Sequence, residues 1–164
     1  LNPQYAILSG LVGSEMCIRD SYTSSMMSKW QARKNGYDEI ILTDESGFIT
    51  EAPTSNVFLV NQDDVLLTAP EEEVLYGITR KSILDIADNE GIKTKVERIP
   101  LSELENAKEV FITSSSHLVC PVIKIDNNPV GSGGIGVLTD KLKQRFLKVT
   151  SGKDKKFNSC LTAI

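Results

Sequence analysis

Residues 57–60, Val-Phe-Leu-Val, form an unbroken apolar block directly after Glu51-Ala52-Pro53-Thr54-Ser55-Asn56. Such a block, rich in β-branched residues and free of charge, reads as a buried strand. The flanking sequence supplies elements to surround it. Tyr22, Met26 and Trp30 recur at i, i+4 in SYTSSMMSKWQARKN, predicting a helix that stops at Gly36. EIILT (39–43) reads as a strand, Asp44-Glu45-Ser46-Gly47 as a turn, and Phe48-Ile49 as a resumed strand. A turn at Gln62-Asp63-Asp64 leads into a strand at VLLT. Gly77 precedes a predicted helix, ITRKSILDIADNEG, with Ile83, Leu84 and Ile86 inward and Gly91 after its end. TKVERI (94–99), EVFIT (109–113) and VCPVIKID read as further strands, the last turning at Asn127-Asn128-Pro129. Ser102 with Glu105 three residues on has the form of a capping box. LTDKLKQRFLKV predicts the last helix, with Leu142, Phe146 and Val149 on one face. Residues 1–20 show no clear period. Many short strands interleaved with three or four helices argue for a mixed α/β domain.

Composition narrows the function classes. The 164 residues suffice for one domain with a real core. A net charge of −4 argues against a nucleic-acid binder, which usually shows a basic face. No apolar run approaches the roughly 20 residues of a membrane span. AILSGLVG (6–13) is mildly apolar, but no basic segment precedes it, so it does not read as a secretory signal. Cys17, Cys120 and Cys160 are an odd, scattered set and not a disulfide framework, and a cytoplasmic location is expected. One histidine and no paired cysteines argue against structural zinc.

Several stretches could carry chemistry. LYGITR (75–80) places Gly77 before a helix whose first N–H groups attract an anion, and Thr79 adds a hydroxyl. A phosphate would fit there; alone, the stretch also reads as an ordinary helix start. TSSSH (113–117) ends a strand in a hydroxyl cluster: a second clamp on the same phosphate, or a solvated loop. Ser next to His lacks the Gly-x-Ser-x-Gly elbow of a hydrolase, and His117 has no convincing partner. GSGGIG (131–136) matches G-x-G-x-x-G literally, but it follows a hairpin late in the chain, so it reads as a flexible loop before the last helix. Glu71-Glu72-Glu73 reads as a solvated loop face.

In this order, the pieces resemble a known family. GYDEIILTDESGFITEAPTSNVFLV, then LYGITR, then AKEVFITSSSHLVCPV, then the Gly-rich loop look like class IV pyridoxal-phosphate enzymes. These comprise branched-chain aminotransferases, D-amino-acid aminotransferases and aminodeoxychorismate lyases. The resemblance covers residues 21–150 and only the larger C-terminal domain, which in this family combines a mixed sheet, or pseudo-barrel, with flanking helices. It implies pyridoxal 5'-phosphate as cofactor. Glu51 would face the pyridine nitrogen and keep it protonated, so that the ring acts as an electron sink. Thr54, Ser55 and Asn56 would line the floor beside the ring. Gly77, Ile78 and Thr79 match the phosphate-binding helix start, and Ser114, Ser115 and Ser116 the second phosphate loop. Leu75 matches a residue packed on the ring. Tyr22 matches a tyrosine that bonds the cofactor's phenolic oxygen.

The resemblance also exposes a departure. The family's Schiff-base lysine should lie five residues before the tyrosine, where this chain has Cys17. Lys29 and Lys34 lie downstream, where the family uses none. LVGSEMCIRDS is similar to translated sequencing-linker sequence, so residues 1–20 are expected to be a non-native graft. Residues 21–150 are then expected to be the cofactor-binding domain and 151–164 a tail. The expected parent activity is transamination between an amino acid, branched-chain or D, and a 2-oxo acid, in a homodimer or larger homo-oligomer. The chain itself is expected to be inactive. The alternatives are a lyase releasing pyruvate from aminodeoxychorismate and a lysine-less cofactor-binding or scaffold protein. Ser55 before Asn56 resembles the D-amino-acid branch.

Overall fold

The apolar block becomes the middle of a sheet. The computed structural model describes residues 15–154 and 156–157, with the backbone alone for 15–22 and 24. Helix α1 (Glu15–Lys34) leads through Gly36, at φ +85°, into the strand region. Strands β1 (Phe48–Ile49), β2 (Glu51–Ala52), β3 (Ser55–Val60) and β4 (Leu66–Thr68) follow. A 3-10 turn at Glu71–Glu73 precedes α2 (Ile78–Asn89), β5 (Thr94–Val96), β6 (Ile99–Pro100) and α3 (Leu101–Glu105). Then come β7 (Glu109–Ser114), β8 (Leu118–Val122), β9 (Lys124–Ile125), β10 (Asn128–Pro129) and α4 (Val137–Thr150).

The main sheet runs β5-β4-β3-β7-β8, with β2 folded back on β3. β3 pairs antiparallel with both β4 and β7, so both of its edges are used. β4 and β5 are parallel, and α2 forms the crossover that parallel pairing requires. All six residues of β3 are buried. Alternate side chains leave opposite faces. Val57 and Leu59 join Ile49, Leu67, Ile99, Val110 and Ile112 on one side. Phe58 and Val60 join Phe111 and the inward residues of α2 and α4 on the other. Two cores explain why the sequence shows a continuous apolar block here and not an alternating one. Phe58 and Phe111 are register partners, and their rings stack with centroids 5.0 Å apart.

The helices α2 and α4 form as their apolar spacing predicts. Ile83 and Ile86 of α2 are fully buried, as is Leu142 of α4, with Phe146 and Val149 beside it. Two local expectations need correction. EIILT is not a strand: only Thr43 bridges Ile49, while Leu42 exchanges backbone bonds with Glu51 and Thr50. The short β2 offers it too little edge. Ser102 does not cap α3, because Pro100, fixed at φ −66°, starts the helix two residues earlier and no side chain caps it. On α1, Met26 and Trp30 face outward: Trp30 is 61% exposed, with the Lys34 ammonium 4.0 Å from its ring centroid. The Glu71–Glu73 segment is a 3-10 turn with ion pairs, Glu73 to Arg98 and Glu71 to Arg80.

Candidate functional site

Glu51 and Asn56 face each other across the β2–β3 hairpin as register partners. Both reach the same residue. The Leu75 N–H donates to Glu51 Oε2 at 3.0 Å, and Asn56 Nδ2 donates to the Leu75 carbonyl at 2.9 Å. The hairpin thus grips the segment that leads into α2. Burial pushes the Glu51 carboxyl above the ordinary glutamate range, while the Leu75 N–H pulls the other way. Gly77 touches Asn56 so closely that a Cβ there would stand 2.1 Å from Asn56 Oδ1.

Two of the described helices start after a glycine, and they differ at their first turns. α4, preceded by GSGGIG, is closed by Glu109. Its carboxylate accepts the Leu138 N–H at 2.9 Å and the Thr139 N–H and hydroxyl at 2.7 Å each. A phosphate has no place at that helix start, so the glycine-rich loop is the structural turn its position predicts. α2, preceded by Gly77, has no side-chain cap. Thr79 is buried in its first turn, whereas Ile78 and Leu75 are largely exposed.

The serine loop lies at the same end of the sheet. Asn56, at the start of β3, pairs with Thr113, at the end of β7. Ser114, Ser116 and His117 follow directly. The Ser114 and Ser116 hydroxyls and His117 Nδ1 form a triangle with 3.2 Å sides. His117 therefore has partners, contrary to the sequence expectation, and both belong to the hydroxyl cluster. Ser115 is exposed at its tip.

The residues present suit a phosphorylated ring cofactor. Thr113 Oγ1, the register neighbour of Asn56 and on the same face of the sheet as Asn56 and Glu51, is buried without any hydrogen-bond partner; Ser55 Oγ is also unpartnered, on the opposite face. A buried hydroxyl like that of Thr113 is rare in a finished structure and suits a polar ligand beside it. An uncapped helix start, a hydroxyl loop and a carboxyl of raised affinity for protons lie at one sheet end. Thr54 of the same hairpin accepts a bond of 3.3 Å from Lys29 Nζ, which also pairs with Glu39 at 2.5 Å. This link between α1 and the hairpin has no signal in the sequence. Neither has the burial of Arg80, except that a cation in a first helical turn runs against the helix dipole. Cys17 and Tyr22 fall on α1, but their side chains lie outside the described residues, as do residues 1–14.

The arrangement is an α/β sheet end with an uncapped helix start and a hydroxyl loop, chemistry that suits an anion. The comparisons give the family. The family described as Amino-transferase class IV matches residues 16–125, and the chain belongs to it. A probable branched-chain-amino-acid aminotransferase of Aquifex aeolicus is 32% identical over 155 residues, 93% of this chain and 50% of its own length. The branched-chain-amino-acid aminotransferase of Pseudomonas aeruginosa is 33% identical over 81% of this chain and 43% of its own. Among solved structures, a T.th. branched-chain amino acid aminotransferase with pyridoxamine 5'-phosphate is 34% identical. It superposes with a TM-score of 0.84 over 87% of this chain and 47% of that one. The chain spans about half the length of the relatives it matches. The fold is thus the one the sequence motifs imply, and that T.th. enzyme was solved with pyridoxamine 5'-phosphate and with N-(5'-phosphopyridoxyl)-L-glutamate. No described helix is long and apolar enough to cross a membrane.

Proposed function

We propose that this chain is the cofactor-binding part of an aminotransferase that moves an amino group between a branched-chain amino acid and a 2-oxo acid. One observation carries the reading: Glu51 and Asn56 both grip Leu75 at the uncapped start of α2. The branched-chain relatives support the substrate class. The cofactor supplies an electron sink for the substrate's α-carbon when bound. The chain's residues serve it in distinct ways. Glu51 would keep the ring nitrogen protonated. The first N–H groups of α2, with Gly77, Ile78 and the Thr79 hydroxyl, would hold the phosphate, with Ser114, Ser115 and Ser116 as a second clamp. Leu75 would take the ring-packing role and Tyr22 the phenolic-oxygen role that the family resemblance implies, while Asn56 fixes the hairpin against the helix start.

Cys17 stands where the family resemblance places the lysine that links to the cofactor. The chain is therefore proposed to bind pyridoxal 5'-phosphate without turning it over. Covalent capture tests this. The chain and its Cys17→Lys variant are mixed with pyridoxal 5'-phosphate, reduced with borohydride and mapped by mass spectrometry. Capture at position 17 in the variant supports the reading. Capture at scattered surface lysines alone, equal in both proteins, removes it. Amino transfer by the variant from L-leucine, compared with D-alanine, then separates the branched-chain reading from the D-amino-acid one that Ser55 favours.

A further inference from the structure

Arg80 is the largest fully buried side chain among the described residues, at 0% exposure. It sits in the first turn of α2, its Cβ 3.5 Å from where a Cβ on Gly77 would be. One guanidinium nitrogen donates to the Ala69 carbonyl at 2.8 Å. Another meets Glu71 Oε1 at 3.4 Å, and the Glu71 side chain is 56% exposed. The third, Nε, has no partner. Glu71 is its only carboxylate partner among the described residues.

Such a cation is under-compensated. A buried charge is costly unless it is closely paired, and a long contact to a solvated carboxylate pairs it weakly. Its position makes this worse, because the positive end of the α2 dipole lies in the same turn. The first turn of α2 therefore carries two sources of positive potential, the dipole and the Arg80 side chain. No carboxylate among the described residues closes that helix start, whereas Glu109 closes the start of α4.

We infer that Arg80 is the buried counter-charge for a dianionic phosphate monoester held at the start of α2. It acts without touching the phosphate, by field and by holding the strap from Ala69 to Gly77 in place. The inference rests on the cofactor reading above and adds to it the residue that sets phosphate preference. Glu71 is its antagonist: a solvated carboxylate that draws off part of the same potential.

The test compares pyridoxal 5'-phosphate with pyridoxal, which lacks the phosphate. Binding of each to the chain is measured by equilibrium fluorescence titration, at low and moderate salt, for the parent, Arg80→Met, Arg80→Lys and Glu71→Gln. Arg80→Met should weaken the phosphorylated ligand at least tenfold and pyridoxal by less than twofold. Arg80→Lys should recover part of the loss. Glu71→Gln, which keeps an oxygen acceptor for the Arg80 guanidinium and removes only the negative charge, should tighten the phosphorylated ligand about two- to threefold, and more at low salt. If Arg80→Met does not fold, the Glu71→Gln arm decides. Unchanged or weaker phosphate-ligand binding in Glu71→Gln, or equal losses for both ligands in a folded Arg80→Met, overturns the inference. A parent chain that binds neither ligand removes the cofactor reading itself, and this inference with it.

Discussion

Gly77 and Asn56 are packed with no room between them: any β-carbon at Gly77 would lie 2.1 Å from Asn56 Oδ1. The glycine is required here by contact, not by backbone angle, since its φ is −85°. Gly77→Ala is expected to cost about 1–3 kcal/mol of stability. In the Asn56→Ala background, the same change should cost clearly less, because the clashing amide is gone. Urea unfolding of the two single variants and the double variant measures the coupling. Additive losses would mean that the two side chains do not meet.

Glu51 gives a pH signature. Its carboxyl titrates above the ordinary glutamate value in the folded chain, chiefly because it is buried. The folded state therefore holds that proton more tightly than the unfolded state, and stability falls as pH rises from the unfolded pKa through the folded one. Glu51→Gln keeps an acceptor for the Leu75 N–H and removes the buried charge. Without cofactor, the variant should be more stable than the parent at pH 7. The gain should vanish below about pH 4, where the unfolded-state carboxyl is also protonated. Thermal melts across pH 3.5–8 would show this, and a variant less stable at pH 7 would contradict it.

Much of this fold is legible in the sequence, and what escapes a linear reading has a common cause. The apolar block, the α2 and α4 faces, and the motifs at Glu51, Gly77 and Ser115 are local patterns. The bridge from Leu42 to Glu51, the capture of the α4 start by Glu109 and the burial of Arg80 depend on partners several to many residues away. His117 is the near miss. Its partners are one and three residues distant, but only the turn after Ser114 aims their hydroxyls at its ring. The capping-box motif at Ser102 misleads because Pro100 is engaged with Phe48 across β1–β6, and this sets where α3 begins.

The pair formed by Lys29 and Glu39 ties α1 to the loop before the sheet, with both side chains largely buried. Lys29→Met leaves Glu39 without its cation and should cost about 3 kcal/mol. Adding Glu39→Leu should restore much of the loss, since an apolar pair of similar volume fits the same space. Denaturant midpoints decide between this and a pair that contributes nothing.

Glu109 predicts the opposite behaviour from the α2 start. Glu109→Ala removes three hydrogen bonds from the first turn of α4 and should cost about 1–2 kcal/mol. Cofactor affinity should stay within twofold of the parent, because the α4 start takes no part in the site. Paired melting and fluorescence titration would reveal any larger change.

β3 is hydrogen-bonded along both edges and covered on both faces, and the site hangs from its first residues. Amides of such a strand exchange with solvent only when the whole molecule opens. Anything that loosens the sheet loosens the grip of Glu51 and Asn56 on Leu75. A ligand that tightens that grip should in turn protect Phe58 and Phe111, deeper in the same strand pair.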